Sequence, residues 1–442
     1  MSIYSLPAGA ATFTVTNLND SGPGSLRQAV LDANATLGAD TIAFQAGLTG
    51  TITLTTGEIQ ITDALTLNGP GATALAISGN NASRIFFLPD VMTGKVLTIN
   101  QLTLKNGKAR GDSAIASYGG AIYGAGSLMT LNNCVLSGNS ASARGGAVDK
   151  FSGTLTVNNS ALINNSATSG GAISNVVPGG NSTVTVNNST LSYNKATLGG
   201  GIYNQGPGGD SGGIIIVNNS TMFGNSASTG GGIHSFGHVL SVNNSTVSGN
   251  SANQGGGIWF WGYYNNQSPP SPGDTGAIAN SIVAGNISPD GKEIYRDSSD
   301  NPGLLTSLGH NLFGENGADG LVNVTKAASD LVLAGAIATA IGPLADNGGP
   351  TQTQLPVPGS PALNHGDNAR IPAGIATDQR GSGFPRIVND VVDIGAVDVQ
   401  PSGSLVAGLT STGQIYYTAV APPTAGDEGQ PTADADADAD AT

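Results

Sequence analysis

NNCVLSGN (132–139), NNSALINN (158–165), NNSTLSYN (187–194), NNSTMFGN (218–225) and NNSTVSGN (243–250) are five versions of one phrase. Each opens on an Asn pair and closes on another Asn six residues later, and Asn280 with Asn286 continues the series. The phrases recur every 25 to 36 residues, which is the signature of a stacked repeat with insertions of variable length. Upstream of each pair runs an alternating stretch, LMTLNN, TLTVNN, TVTVNN, GIIIVNN or VLSVNN. Upstream of that, a glycine pair opens GGAIY, GGAVD, GGAIS, GGGIY, GGGIH and GGGIW. Period-2 alternation makes each coil three strands and turns Leu131, Val157, Val186, Val217 and Val242 inward, with Leu136, Leu162, Leu191, Met222 and Val247. Strands of one sense that repeat once per coil pair in parallel. The expected fold is therefore all-β, a right-handed parallel β-helix, its hand following the usual chirality of parallel crossovers.

Composition agrees with a stacked β architecture. Gly is 67 of 442 residues and charged residues are only 10%, while Thr, Val and Ile are plentiful. The net charge is −14, much of it in the tail ADADADADAT, and no basic stripe is present, which excludes nucleic acid as a partner. The single Cys134 excludes an internal disulfide framework and takes a place that Ser160, Ser189, Ser220, Ser245 and Ser281 hold in other coils. No apolar run reaches membrane-spanning length, and MSIYSLPAGAATFTV has no charged segment followed by an apolar one, so no signal peptide is visible.

Along the chain, residues 1–40 form an N-terminal cap. Ser25-Leu26-Arg27-Gln28 is a capping box, and Leu26, Ala29, Val30 and Ala33 make the apolar stripe of one short helix over the first coil's open edge. Residues 41–288 are the β-helix, 289–400 its C-terminal end and cap, and 401–442 a linker with one strand near Gly413–Tyr417 and an acidic, disordered tail.

The Asn columns read as scaffold. A turn Asn accepts left-handed geometry and its amide reaches the Asn one coil away. The expected ladder is Asn133, Asn159, Asn188, Asn219 and Asn244, with Asn139, Asn165, Asn194, Asn225 and Asn250. The N-x-S/T triplets at Asn158, Asn187, Asn218 and Asn243 follow from that ladder rather than from glycosylation. The glycine pairs supply positive-φ turns and close backbone approach.

Chemistry is sparse. Residues 111–290 hold Asp112, Asp149, Asp210, Asp274 and Asp290 and no Glu, with no carboxylate pair set for glycoside hydrolysis. No catalytic residue, metal or other cofactor is expected. Calcium lacks a specific motif, though Asp290, Glu293, Asp297 and Asp300 are the acids that could gather around one. His234 and His238 lack an acidic or Cys partner. In the strand after the glycines, the outward positions are Tyr123, Asp149, Ser174, Tyr203, His234 and Trp259, then Phe151, Gln205, Phe236 and Trp261 two residues on. The large insertions all follow this strand, which marks it as the expected binding face, the alternative being that the insertions fold over these aromatics and bury them. The candidate ligand-binding residues are Tyr123, Tyr203, His234, Phe236, Trp259 and Trp261.

The glycine pairs with their following xxGNSA resemble the GGAI and FxxN repeats of polymorphic outer-membrane-protein adhesins, with Phe223 close to the second motif. TFTVTNLNDSGPGSLRQAVLDANA at the start, with DNGGPTQTQLPVPGSPALNHGD and TDQRGSGFPRIVNDVVDIGAVD at the end, is similar to bacterial secreted right-handed β-helix proteins of the choice-of-anchor Q type. That resemblance implies a secreted or cell-surface, adhesin-like protein with no established catalytic residues. The expected function is an extracellular rod binding a glycan or a matrix or surface protein, itself included. The alternatives are a polysaccharide lyase or glycoside hydrolase on the same fold, and a self-assembling structural subunit.

Overall fold

The computed structural model describes residues 9–89, 93–111, 113, 115–177, 182–206, 213–236, 239–261, 275–299 and 303–400, and the backbone of Ser404–Leu409 and Ile415–Val420. Residues up to Val399 form one compact unit and Gln400–Thr442 a second.

The first unit is a right-handed parallel β-helix of about ten coils with three strands in each. Sheet 1 collects the strands that follow the glycine pairs, from Ile59–Gln60 through Ile122–Ala125, Val148–Phe151, Ile173–Val176, Ile202–Gln205, Ile233–Phe236 and Ile258–Trp261 to Leu321–Val322. Sheet 2 collects the strands that end on the Asn pairs, from Thr12–Val15 to Leu304–Ser307. Sheet 3 collects the short strands after the pairs, from Gly50–Thr53 to Leu331–Val332. Registers are residue for residue: Leu131 lies against Val157, Val157 against Val186, and Leu136 against Leu162. All ten positions expected to face inward are at most 1% exposed. Because identical side-chain types stack directly above one another, each coil buries its apolar face only against its neighbours.

The two glycines of each pair divide the work expected of both. The first is left-handed, as at Gly170 (φ 69°) and Gly199 (φ 62°). The second sits under the next coil: a Cβ on Gly171 would lie 2.2 Å from the carbonyl oxygen of Gly200.

At the N-terminus the helix Leu26–Ala35 buries Leu26, Ala29, Val30 and Ala33 in the same core as Ile42 and Ile52. Ser25 Oγ accepts from Gln28 N at 3.2 Å, but Gln28 Nε2 donates to Asp32 Oδ1 at 2.8 Å instead of reaching back to Ser25. The capping box is thus half made, because Asp32 lies one turn on and competes for the amide.

The C-terminal region departs from the expected end cap. The chain continues the coils through Ile294–Arg296, Leu304–Ser307, Leu312–Phe313 and Leu331–Val332. It then turns back and runs along the outside of sheet 3. Thr190 Oγ1 donates to Gln352 O at 2.5 Å, and Thr221 Oγ1 donates to Gln379 Oε1 at 2.6 Å. Gln379 Nε2 donates to Thr190 Oγ1 at 2.8 Å, and Ala396 N donates to Thr246 Oγ1 at 3.1 Å. The physical reason is the outward column of sheet 3. Thr190, Thr221, Thr246 and Ile282 offer hydroxyls and one aliphatic side chain, which this segment pairs and buries. Ile282, Ala284, Ala340, Ile341, Ala362 and Ile394 make a second small core beneath it. Within the segment, Arg380 pairs with Asp378 at 2.6 Å, and Arg386 with Asp398 at 3.0 Å, all buried. The motif TDQRGSGFPRIVNDVVDIGAVD is therefore a brace, buried at Asp378–Arg380, Arg386 and Val392–Asp398 and exposed at Ile387, Asn389 and Asp390.

The second unit contains an antiparallel hairpin of Ser404–Leu409 and Ile415–Val420. The stretch read as a linker thus supplies a strand of its own, and the strand expected near Gly413–Tyr417 is set by that pairing to start at Ile415. The tail expected to be disordered lies outside the described residues.

Candidate binding surface

The solenoid offers three outer faces, and each proposed site can be placed on one of them. Tyr123, Asp149, Ser174, Tyr203, His234 and Trp259 do form one outward column on sheet 1, with Phe236 and Trp261 in the next column. They are not the open stacking surface that alternation suggested. Tyr123 is 3% exposed, Tyr203 7%, His234 6% and Trp259 8%.

The cause includes the register itself. Rings one coil apart lie at about the strand spacing and cover one another. His234 and Trp259 stack with centroids 4.2 Å apart, Tyr203 and His234 lie at 5.3 Å, and Phe236 and Trp261 stack at 4.2 Å. Tyr123 lies between Phe87 at 5.7 Å and Tyr118 at 6.3 Å. Ring faces that would meet a sugar are consumed within the protein; Phe236 and Trp261 alone of the six candidates are half-buried. Burial pushes the His234 imidazole down to about 3, so it is neutral at physiological pH. The side chain of Asp149 is fully buried beside Arg144 at 3.4 Å, and burial raises its carboxyl above the usual range against the pull of that cation. His238 and the insertions 178–181, 207–212 and 262–274 lie outside the described residues.

The Asn columns separate into three classes where two were expected. The closing Asn residues are an inner ladder. Asn165 Nδ2 donates to Asn194 Oδ1 at 3.0 Å and Asn194 Nδ2 to Asn225 Oδ1 at 2.9 Å, and each also donates to a backbone carbonyl of the preceding coil. The first Asn of each pair forms a second, outer ladder, Asn158 to Asn132 at 2.8 Å and Asn187 to Asn158 at 3.0 Å. The second Asn of each pair, expected in the ladder, instead occupies the left-handed turn: Asn133, Asn159, Asn188, Asn219 and Asn244 have φ between 45° and 52°. That conformation swings the side chain out of the column, so Asn219 donates to Thr377 O at 2.8 Å rather than to another Asn.

Cys134 keeps its place in the serine column. It is 1% exposed, and burial pushes its thiol up to about 11. Glu293 is not turned toward a cation: its Oε2 accepts from Asn286 N at 3.2 Å and Nδ2 at 2.6 Å, ending the inner ladder. Asp297 Oδ1 accepts from Ser299 N, Asp290 Oδ2 from Gln254 Nε2, and Asp300 lies outside the described residues. Among the described residues no group of three or more His, Cys, Asp or Glu side chains is placed to hold a metal.

One face stays open. On sheet 2 the outward Thr66, Thr98, Thr130, Thr156 and Thr185 stack in register beside the outer Asn ladder, all partly exposed. Beside them runs a groove of about 880 Å³, floored by Asn132, Asn158 and Asn187 with Asn133, Asn159 and Asn188. Its far wall is Pro372–Ile375 of the returning segment. An amide carries two donor hydrogens and two acceptor lone pairs. Each rung of the outer ladder uses one of each, leaving one donor and one acceptor per coil for a ligand. The residues lining the groove are amide, hydroxyl and apolar, with no acid, base or charge among them. Among the described residues, the groove's lining offers hydrogen-bonding amides and a hydroxyl and no titratable side chain. The sequence carried a signal for this face in LTLN, LTIN, MTLN, LTVN and VTVN, where Thr and Asn share one outward phase. The wall was not readable, since it depends on where residues 372–375 fold.

No protein-family profile matches the chain, and no curated protein is similar to it.

Proposed function

We propose that this protein is a non-catalytic, adhesin-like rod that binds an extended neutral glycan along the Thr and Asn face of sheet 2. The observation that carries this reading is the uncharged groove in which every coil presents the same amide donor and acceptor at a spacing of about 4.8 Å. A rigid array of this kind suits a polymer with its own regular repeat, since many weak contacts add without ordering the protein. The β-helix rod is compatible with structural or adhesin-like roles. The start and end motifs similar to choice-of-anchor Q proteins support a place outside a bacterial cell. No helix among the described residues is long and apolar enough to cross a membrane.

The test is a neutral-glycan array read with the full chain, with Asn158→Ala/Asn187→Ala and with Tyr203→Ala/His234→Ala/Trp259→Ala. Binding lost in the Asn pair supports the groove. Binding that survives there and disappears only in the aromatic triple returns the site to sheet 1. Release of reducing ends or unsaturated products from a polysaccharide panel would overturn the non-catalytic reading.

A further inference from the structure

The column of turn Asn residues on the groove floor continues past the end of the groove. Asn133, Asn159, Asn188, Asn219, Asn244 and Asn280 occupy successive coils in one left-handed turn, with φ between 45° and 52°. Yet Asn133 is exposed, Asn159 and Asn188 are half-buried, and Asn219, Asn244 and Asn280 are buried. Conformation does not account for that gradient; the returning segment does. Asp367 N donates to Asn280 Oδ1 and Asn280 Nδ2 donates to Asp367 O, both at 2.9 Å, and Asn219 Nδ2 donates to Thr377 O at 2.8 Å. Asn244 stands between those two tethers in the column. Its Oδ1 and Nδ2 are buried without a hydrogen-bond partner, as is Asn219 Oδ1.

The chain between the tethers is slack. Asn280 and Asn219 lie two coils apart, about 10 Å at the strand spacing. The ten residue steps from Asp367 to Thr377 reach about 33 Å when extended. The surplus forms an arch, and its Pro372–Ile375 is the far wall of the groove. None of residues 368–376 is buried, whereas Gly366 on one side and Asp378, Gln379 and Arg380 on the other are. Residues 369–375 bond only among themselves and to Asp367 and Asn368. Three hydrogen bonds thus tie 367–377 to the coils, against three amide atoms stranded beside them. A stranded group costs at least what a made bond returns, so the closed arch is weakly held.

We propose that Asn219, Asn244 and Asn280 are the covered half of the glycan site, and that residues 368–376 are a strap that lifts to admit a longer chain. This rests on the neutral-glycan reading of the groove and extends it from three turn Asn residues to six. With the strap lifted, Asn244 offers the same amide donor and acceptor as Asn159 and Asn188. A glycan seated on the open coils then runs on into the covered ones.

Thiol labelling tests the strap without a ligand. In a Cys134→Ser chain, Asn133→Cys and Asn244→Cys share the same backbone turn and therefore the same strain. Iodoacetamide is expected to label position 133 fastest and position 244 about tenfold or more slowly, yet far faster than native Cys134 reports unfolding. Replacing residues 369–375 by Gly-Ser-Gly still spans the tethers and should bring position 244 close to the rate at 133. The proposal is overturned if position 244 reacts only as the chain unfolds, or if the shortened strap leaves its rate unchanged.

Short and long oligomers of β-glucan, mannan and galactan then test the covered half. Asn244→Gly keeps the left-handed turn and removes an amide with no partner to lose, so melting should not fall. It should weaken the long oligomer about tenfold and leave the short one unchanged. Equal binding of the long oligomer with and without Asn244→Gly overturns the covered half. Asn158→Ala/Asn187→Ala should weaken both lengths. Absence of binding at either length in the unsubstituted chain overturns the groove reading and the covered half with it, and the labelling alone then decides the strap.

Discussion

Replacing Asn194 and Asn187 in turn compares two amide ladders in one coil, and the difference in their energies follows from burial. Asn194 is fully buried. Its Oδ1 accepts from Asn165 N at 2.9 Å and Asn165 Nδ2 at 3.0 Å, and its Nδ2 donates to Leu162 O and Asn225 Oδ1, both at 2.9 Å. Asn194→Ala removes four hydrogen bonds and leaves their partners in a site water does not reach. At about 1 kcal/mol net for each bond, with an added penalty for each stranded group, the loss is about 4 kcal/mol or more. Asn187 makes two ladder bonds, to Asn158 at 3.0 Å and from Asn218 at 3.1 Å, and lies half-exposed on the groove floor. Water replaces those bonds, so Asn187→Ala should cost about 1 kcal/mol or less. Because coils can open separately, urea midpoints should be read together with hydrogen exchange of the amides in coils 155–198. Asn194→Ala should raise exchange there far more than Asn187→Ala. Equal destabilisation by the two variants would refute the assignment of scaffold to the inner ladder and surface to the outer one.

Three other outcomes follow from individual buried groups. Burial raises the Glu293 carboxyl to about 8, whereas the unfolded chain ionises near 4.5, so between those values the folded state holds the extra proton and stability falls as pH rises. Glu293→Gln should therefore raise the melting temperature more at pH 8.5 than at pH 5, by up to roughly 4 kcal/mol in stability; an equal shift at both would show that Glu293 does not titrate in the fold. Cys134→Ser should be neutral to within about 1 kcal/mol, since it completes a column in which Ser160, Ser189 and Ser220 already bond to the carbonyl two residues back; the native thiol should react with a thiol reagent only on unfolding. Gln379→Ala removes the side chain that links Thr190 and Thr221, and limited proteolysis should then cut within 340–399 while the coils stay protected; cleavage first in the coils would contradict the brace.

What the sequence disclosed is what repeats. The inward Leu131, Val157, Val186 and Val217 are legible because one coil's alternation is tested by the next, and the stacking of like on like carries them all to burial. The same alternation placed Tyr203, His234 and Trp259 outward correctly, yet outward did not mean accessible. Exposure is a property of neighbours in space, and in a parallel, in-register stack the neighbour of an aromatic ring is another ring at 4.2 to 5.3 Å. The Asn columns show the same limit from the other side. All three repeat with equal regularity, so period alone cannot rank them; the left-handed φ of Asn159 and Asn188 takes those side chains out of the ladder, and only burial divides the remaining two. Residues 340–399 do not repeat at all, and their path along sheet 3 rests on single matches such as Gln379 with Thr190 and Thr221, about 160 to 190 positions away in the chain. That path shapes the proposed binding face. By burying the outer hydroxyls of sheet 3 and walling one side of the Asn floor, the non-repeating part of the chain leaves sheet 2 as the face on which a repeating ligand can be met.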